Sequence, residues 1–182
     1  MTAVDDQVQL IAEVAGALAT AGLKAWLFGG WGMDAHIGRV TRKHGDVEFW
    51  VERPEREGVL EVLTSRGFEL LPTQPPDESF EFERNALRFS TAFFDRTHDG
   101  FSKPSGRWSD WRFPRGAFAD AWGKVGQAPV RVMSLEGLLA MKTQYPTLRN
   151  GKPWRPKDVS DMAAIQALLA SSEGQPISEK AP

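Results

Sequence analysis

The sequence contains no cysteine, which excludes disulfides, thiolate nucleophiles and Cys-based zinc sites. Any chemistry must come from carboxylates, histidine, lysine, arginine or hydroxyls. No run approaches the roughly 18 apolar residues that a membrane span requires. The first residues, MTAVDDQ, are acidic and carry neither a positive n-region nor a long apolar stretch. No secretory signal is therefore expected, and a cytoplasmic location is. A large excess of one charge is also lacking. A net charge of −2 argues against broad coating of nucleic acid, whose affinity for proteins comes from clustered Lys and Arg. What is present is a chain of 182 residues, 41% hydrophobic and 25% charged, enough for one domain over residues 1–170 with a helical part from 134 to 170. Residues 171–182, SSEGQPISEKAP, hold one Ile among small, polar and charged residues and are expected to form a flexible tail.

Residues 7–20 place Val8, Ile11, Val14, Ala15 and Leu18 at helical spacing, with Gly22 suited to the position just past the end. KAWLF (24–28), closed by Gly29-Gly30, reads as a buried strand, and WGMDAHIG can turn as a helix after the glycines. DVEFWV (46–51) predicts a second strand, with Asp46 and Glu48 on one face and Val47, Phe49 and Val51 on the other. Pro54 opens a helix to about residue 66. FEFER (80–84) and LRFSTAFF (87–94), separated by Asn85-Ala86, read as a β-hairpin. From 95 to 129 the pattern is irregular, with short strands and loops. VRVM (130–133) suits a last strand, and Ser134 caps a helix that Pro146 is expected to stop. A final helix spans Asp158 to Leu169. This order gives an α+β (α/β) core, a small mixed sheet flanked by helices, with helices gathered at the C-terminal end.

Three constellations carry chemistry. Gly29-Gly30 after a buried strand permits a sharp turn and exposes N–H groups at a helix start, where an anion is favoured; the alternative is a tight turn. Asp46 and Glu48 point the same way a few Å apart, where repulsion penalises them unless a cation lies between. Mg²⁺ suits such oxygen ligands together with substrate phosphates, and the alternative is a solvated strand face. Between them HIGRVTRKH offers Arg39, Arg42 and Lys43 to phosphate oxygens, with Thr41 able to donate a hydroxyl. The three histidines show no H-E-x-x-H spacing, so a His-based metal site is not expected. Further on, FSKPSGRWSDWRFPRG interleaves Lys103, Arg107, Arg112 and Arg115 with aromatics. That pattern suits either stacking on bases or a cover for the sheet.

The motif G-G-W-x-x-D-x-x-x-G-R-x-T-R-x-H-x-D-x-E, from Gly29 to Glu48, resembles the signature of the polymerase-β-like nucleotidyltransferases, specifically the small enzymes that modify aminoglycoside or lincosamide antibiotics. A looser motif, from Lys142 through Arg149, Arg155, Lys157 and Asp158 to Asp161, is similar to that family's C-terminal helical segment. The resemblance implies transfer of a nucleoside monophosphate, AMP from ATP, to a hydroxyl of a small acceptor. It implies Asp46 and Glu48 as ligands for Mg²⁺, and Gly29, Gly30, Trp31, Thr41, Arg42 and Lys142 around the triphosphate. It also implies a third carboxylate on a later strand, as metal ligand or general base. LRFSTAFF carries Arg88 and Ser90 where that acid and a following His would stand. Asp95, at the strand's end, is the nearest substitute and needs a bulge to face the same way, with Glu81 and Glu83 as further options. Alternatives are a non-catalytic nucleotide-binding module, or a nucleotidyltransferase acting on RNA or protein as in toxin and antitoxin systems. A monomer or a homodimer fits either reading.

Overall fold

The computed structural model describes residues 2–173. Thirteen regular elements follow in order: α1 (Ala3–Thr20), β1 (Ala25–Leu27), α2 (Gly29–Ile37), β2 (Glu48–Glu52), α3 (Arg56–Ser65), β3 (Glu69–Leu71), β4 (Ser79–Arg84), β5 (Leu87–Arg96), β6 (Ser102–Pro104), β7 (Trp122–Val125), β8 (Ala128–Arg131), α4 (Leu135–Leu148) and α5 (Pro156–Glu173). The main sheet runs β1-β2-β5-β4-β3, with β6 pairing the far end of β5. β2 and β5 are parallel and the other named pairs antiparallel, which makes the sheet mixed. The hairpin β7-β8 is a separate ribbon, joined to the main sheet by a bridge from Val132 to Leu27.

Alternation along the strands sorts side chains into two cores. Phe49 and Val51 of β2, with Val47 just ahead of it, meet Phe80, Phe82, Phe89 and Phe93 on the face covered by α1 and α3. Trp26, Trp50 and Phe94 pack on the opposite face with Phe113, Phe118, Leu138 and Ile165. The segment rich in Trp and Arg therefore covers the sheet. Phe113 and Phe118 lie against Trp50 at ring-centroid distances of 5.1 and 6.1 Å. Its three arginines are already engaged: Arg107 pairs with Glu78, Arg112 with Asp99, and Arg115 lies over the Phe101 ring. At the β4-β5 turn, Asn85 and Ala86 both have positive φ, 52° and 62°, the backbone that a two-residue hairpin loop demands.

Three boundaries differ from the sequence expectation. The diglycine forms the first turn of α2 rather than preceding it. Pro146 does not stop α4, which continues to Leu148. Proline there deprives the Lys142 carbonyl of its helical donor, and the Trp154 indole N–H donates to that carbonyl at 3.0 Å in its place. Finally, α5 extends through Ser171 to Glu173, so the expected tail begins later; its remainder, 174–182, lies outside the described residues. No helix among the described residues is long and apolar enough to cross a membrane.

Candidate functional site

The site is assembled where β1 turns into α2 beside the start of β2. The Phe28 N–H donates to the Glu48 carbonyl at 3.1 Å, which ties the turn to the strand. Gly29 has φ +66°, and a Cβ there would come within 3.0 Å of Glu48 Oε2. A Cβ on Gly30 would fall 2.2 Å from His44 Nδ1. Both glycines therefore let the helix start approach neighbouring side chains closely. No side chain caps α2, so its first N–H groups stay available to an anion. Gly30→Ala is expected to destabilise the fold by about 1–3 kcal/mol through overpacking against a histidine that cannot move away, as urea denaturation would register.

His44 is fixed because both ring nitrogens are used. Arg42 Nη1 donates to Nδ1 at 2.9 Å. Arginine has only donors, so the ring proton sits on Nε2, which donates to Asp34 Oδ2 at 2.6 Å. Asp34 is buried and also accepts from the Thr41 N–H at 3.0 Å and hydroxyl at 2.5 Å. Burial alone would push its carboxyl up, but the bonds from His44 and Thr41 outweigh it and hold the carboxyl below the usual range. Thr41 is thus spent on folding the loop and does not reach the crevice. Trp31 is fully buried, with its ring centroid 4.9 Å from that of His44; it supports the loop from below and is not a surface for nucleotide. The network continues outward: Arg42 Nη2 and Lys142 Nζ both donate to Asp161 Oδ2, at 2.9 and 2.7 Å.

Asp46 is exposed and Glu48 partly buried, and neither forms an ion pair among the described residues. Burial, reinforced by the Asp46 charge, pushes the Glu48 carboxyl up to about 7, against the opposing pull of Lys142, Lys157 and Arg155. The two carboxylates share a narrow polar crevice with Gly29, Gly30, Arg42 and Lys142. Lys142 is itself buried. The structure adds Tyr145, Arg155 and Lys157 to this crevice. Arg155 and Lys157 belong to the C-terminal motif but gained no role from it, because only the packing of α5 on α4 turns them inward. Tyr145 follows Lys142 by three residues and so shares its helix face. Burial pushes its phenol above the ordinary range. Arg155 makes a two-pronged pair with Asp158, at 2.7 and 2.8 Å.

Asp95 is not part of this site. In the parallel register Glu48 lies beside Ser90 and Glu52 beside Phe94, so Asp95 stands five residues along β5 from the level of Glu48, about 16 Å away at strand spacing. No bulge interrupts the strand to bring it back. Its carboxylate accepts from Arg53 at 2.8 Å and Ser105 at 3.2 Å. Among the described residues no group of three His, Asp or Glu side chains is spaced to hold a metal ion. The pair Asp46 and Glu48 offers two hard oxygen donors, a set that suits Mg²⁺ completed by phosphate oxygens.

From Glu48 two further spaces open. One, of about 530 Å³, is lined by Asp46, Glu81, Arg88 and the small residues Ser79, Ser90 and Ala92. The other, of about 330 Å³, is walled by Phe28, Trp50, Trp108 and Trp111. Glu48 is therefore the meeting point of a polar crevice that holds Arg42, Lys142, Arg155 and Lys157 among carboxylates, an acidic cleft and an aromatic cleft.

A family model described as aminoglycoside-2''-adenylyltransferase matches residues 10–165. Two curated relatives, 2''-aminoglycoside nucleotidyltransferases of Escherichia coli and Klebsiella pneumoniae, are each 36% identical over 41% of this chain and 53% of their own length. The chain thus spans about half the length of the curated relatives it matches. The crystal structure of ANT(2'')-Ia in complex with adenylyl-2''-tobramycin shares the fold with a TM-score of 0.74 at 22% identity, over 92% of each chain. The lincosamide antibiotic adenylyltransferase LnuA, in its lincomycin-bound crystal structure, shares it with a TM-score of 0.63 at 17% identity, over 83% of this chain and 90% of that one. With the diglycine turn, the carboxylate pair and the C-terminal cations all inside the matched span, the chain belongs to the aminoglycoside-2''-adenylyltransferase family of nucleotidyltransferases.

Proposed function

We propose that the protein transfers AMP from ATP to a hydroxyl of a small, aminoglycoside-like or lincosamide-like acceptor, with Mg²⁺ as cofactor. The observation that carries this reading is the carboxylate pair Asp46 and Glu48, set between a polar crevice that contains Arg42, Lys142, Arg155 and Lys157 and two clefts large enough for a small acceptor. A polyphosphate needs cations along its length and a divalent ion where its charge is greatest. An acceptor needs an open approach from the other side. Glu48 has both neighbours.

In the reaction the acceptor oxygen bonds to the α-phosphorus, the bond from that phosphorus to the bridging oxygen breaks, and pyrophosphate leaves with the electron pair. Arg42, Lys142, Arg155 and Lys157 line the path of the leaving pyrophosphate and offset its charge. The uncapped start of α2, kept open by Gly29 and Gly30, donates N–H groups to phosphate oxygens. Asp161, between Arg42 and Lys142, keeps both cations aimed into the crevice while the nucleotide is away. Asp46 and Glu48 would hold Mg²⁺. When bound, the ion neutralises phosphate charge and lowers the pKa of a nearby hydroxyl.

The test is pyrophosphate release from ATP and Mg²⁺ in the presence of tobramycin, lincomycin and unrelated polyols, with mass spectrometry of the acceptor. Acceptor-dependent release with an adenylylated product is expected. ATP binding by calorimetry without release for any acceptor would instead make the protein a nucleotide-binding module.

A further inference from the structure

We infer that Glu81 takes the proton from the attacking acceptor hydroxyl. This inference rests on the nucleotidyl-transfer reading above. Its basis is the register of three strands. Glu48 of β2 lies beside Ser90 of β5, and Ser90 lies beside Glu81 of β4. Residues paired across neighbouring strands point to the same face, so Glu48, Ser90 and Glu81 form a row across the sheet. Strand spacing puts the two glutamates about 10 Å apart at the backbone. Between and beside them the floor is built of Ser79, Ser90 and Ala92, too short to fill the gap. Glu48 and Glu81 thus line one cleft of about 530 Å³, with room for a hydroxyl-bearing ring.

Elimination points to the same residue. Asp46 and Glu48, which line both the crevice and this cleft, are assigned to the cation in the reading above. Glu83 is ion-paired with Arg88. Glu78 is held by the Arg107 backbone N–H and guanidinium at 2.7 to 3.0 Å. Asp95 is bound to Arg53 at the far end of the sheet. Glu81 makes no ion pair among the described residues. It accepts one hydrogen bond, from the Thr73 hydroxyl to Oε2 at 2.5 Å, which fixes the carboxylate and leaves Oε1 for another donor. A base must lie within hydrogen-bond reach of the proton it removes, and an acceptor seated over the Ser90 floor lies on the side of Glu48 where Glu81 stands. The step is then complete: the acceptor oxygen bonds to the α-phosphorus, its proton passes to Glu81 and on to solvent, and pyrophosphate departs.

The experiment compares wild type with Glu81→Gln and Glu81→Asp, using ATP, Mg²⁺ and whichever of tobramycin and lincomycin the wild type adenylylates. Glu81→Gln is expected to lower kcat by about 10²–10⁴-fold, the usual contribution of a positioned base, with the acceptor KM and ATP affinity close to wild type. Glu81→Asp, which keeps the base on a shorter stem, is expected to recover part of kcat. A Glu81→Gln variant that keeps wild-type kcat, or that raises KM with kcat unchanged, overturns the inference. The second outcome would make Glu81 a binding group for a cationic acceptor. Both leave the transfer reading standing, because they require an active wild type. A wild type that adenylylates neither compound overturns that reading for these acceptors, and this inference with it.

Discussion

Asp46→Asn is expected to reduce adenylyl transfer by about 10³-fold or more, the scale on which losing one preorganised electrostatic group acts, while leaving the folded protein within about 0.5 kcal/mol of wild type. The asymmetry follows from position. Asp46 is exposed at the mouth of the crevice, just ahead of β2, and among the described residues its side chain has no hydrogen bond or ion pair to lose. Asparagine keeps its shape and removes only the charge that would hold Mg²⁺ beside Glu48. There is a secondary effect of known sign. The Asp46 charge raises the Glu48 carboxyl, so removing it lets Glu48 ionise at lower pH and slightly favours the metal-free fold near neutrality. Turnover assays and thermal denaturation on the same preparation separate the two effects. Full turnover in Asp46→Asn would remove this side chain from the metal site.

The chain's local grammar carried much of the architecture. The alternation in DVEFWV and FEFER, the Asn85-Ala86 turn and the apolar spacing of α1 each depend on neighbours in sequence, and each corresponds to an element at nearly the expected place. The misplaced features depend on residues far away. Nothing near Pro146 announces that a tryptophan eight residues on will satisfy the carbonyl it orphans. Thr41 looks like a free hydroxyl until Asp34 is found buried beneath it. Trp31, placed around the triphosphate by the resemblance, is instead covered by the loop bearing His44.

The site shows the same division. Gly29, Gly30, Arg42, Asp46, Glu48 and Lys142 meet in one crevice, and a dense motif names most of them. The proton acceptor is a different matter. A search along β5 for a carboxylate ends at Asp95, because a single strand gives parity but no register. Pairing of β5 with β2 on one side and β4 on the other sends Asp95 to the far end and sets Glu81 level with Glu48. A catalytic position defined by a row across strands has no fixed offset along the chain, so spacing alone cannot find it.

Glu48→Gln is expected to abolish transfer and at the same time to stabilise the metal-free protein at pH 8 by about 1–3 kcal/mol, several degrees in melting temperature for a chain of this size. The sign follows from the shift. Glu48 has a carboxyl pushed up to about 7 in the fold against an ordinary 4.5. Below about 4.5 it is protonated in both states and carries no penalty. Between 4.5 and 7 the folded state holds more protons than the unfolded one, so stability falls as pH rises, and above 7 the full cost of an ionised, partly buried carboxylate next to Asp46 is present. Glutamine is neutral throughout. The variant's advantage should therefore be large at pH 8 and vanish near pH 4.5. Mg²⁺ should close the gap from the other side: a cation bound by the folded state alone raises the wild-type melting temperature at pH 8, and the variant, lacking the charge, should respond weakly. Differential scanning calorimetry at both pH values, with and without Mg²⁺, tests all of this together. An advantage that is the same at pH 4.5 and pH 8 would mean that Glu48 bears no such strain, and the case for a cation between the two carboxylates would lose its physical cause.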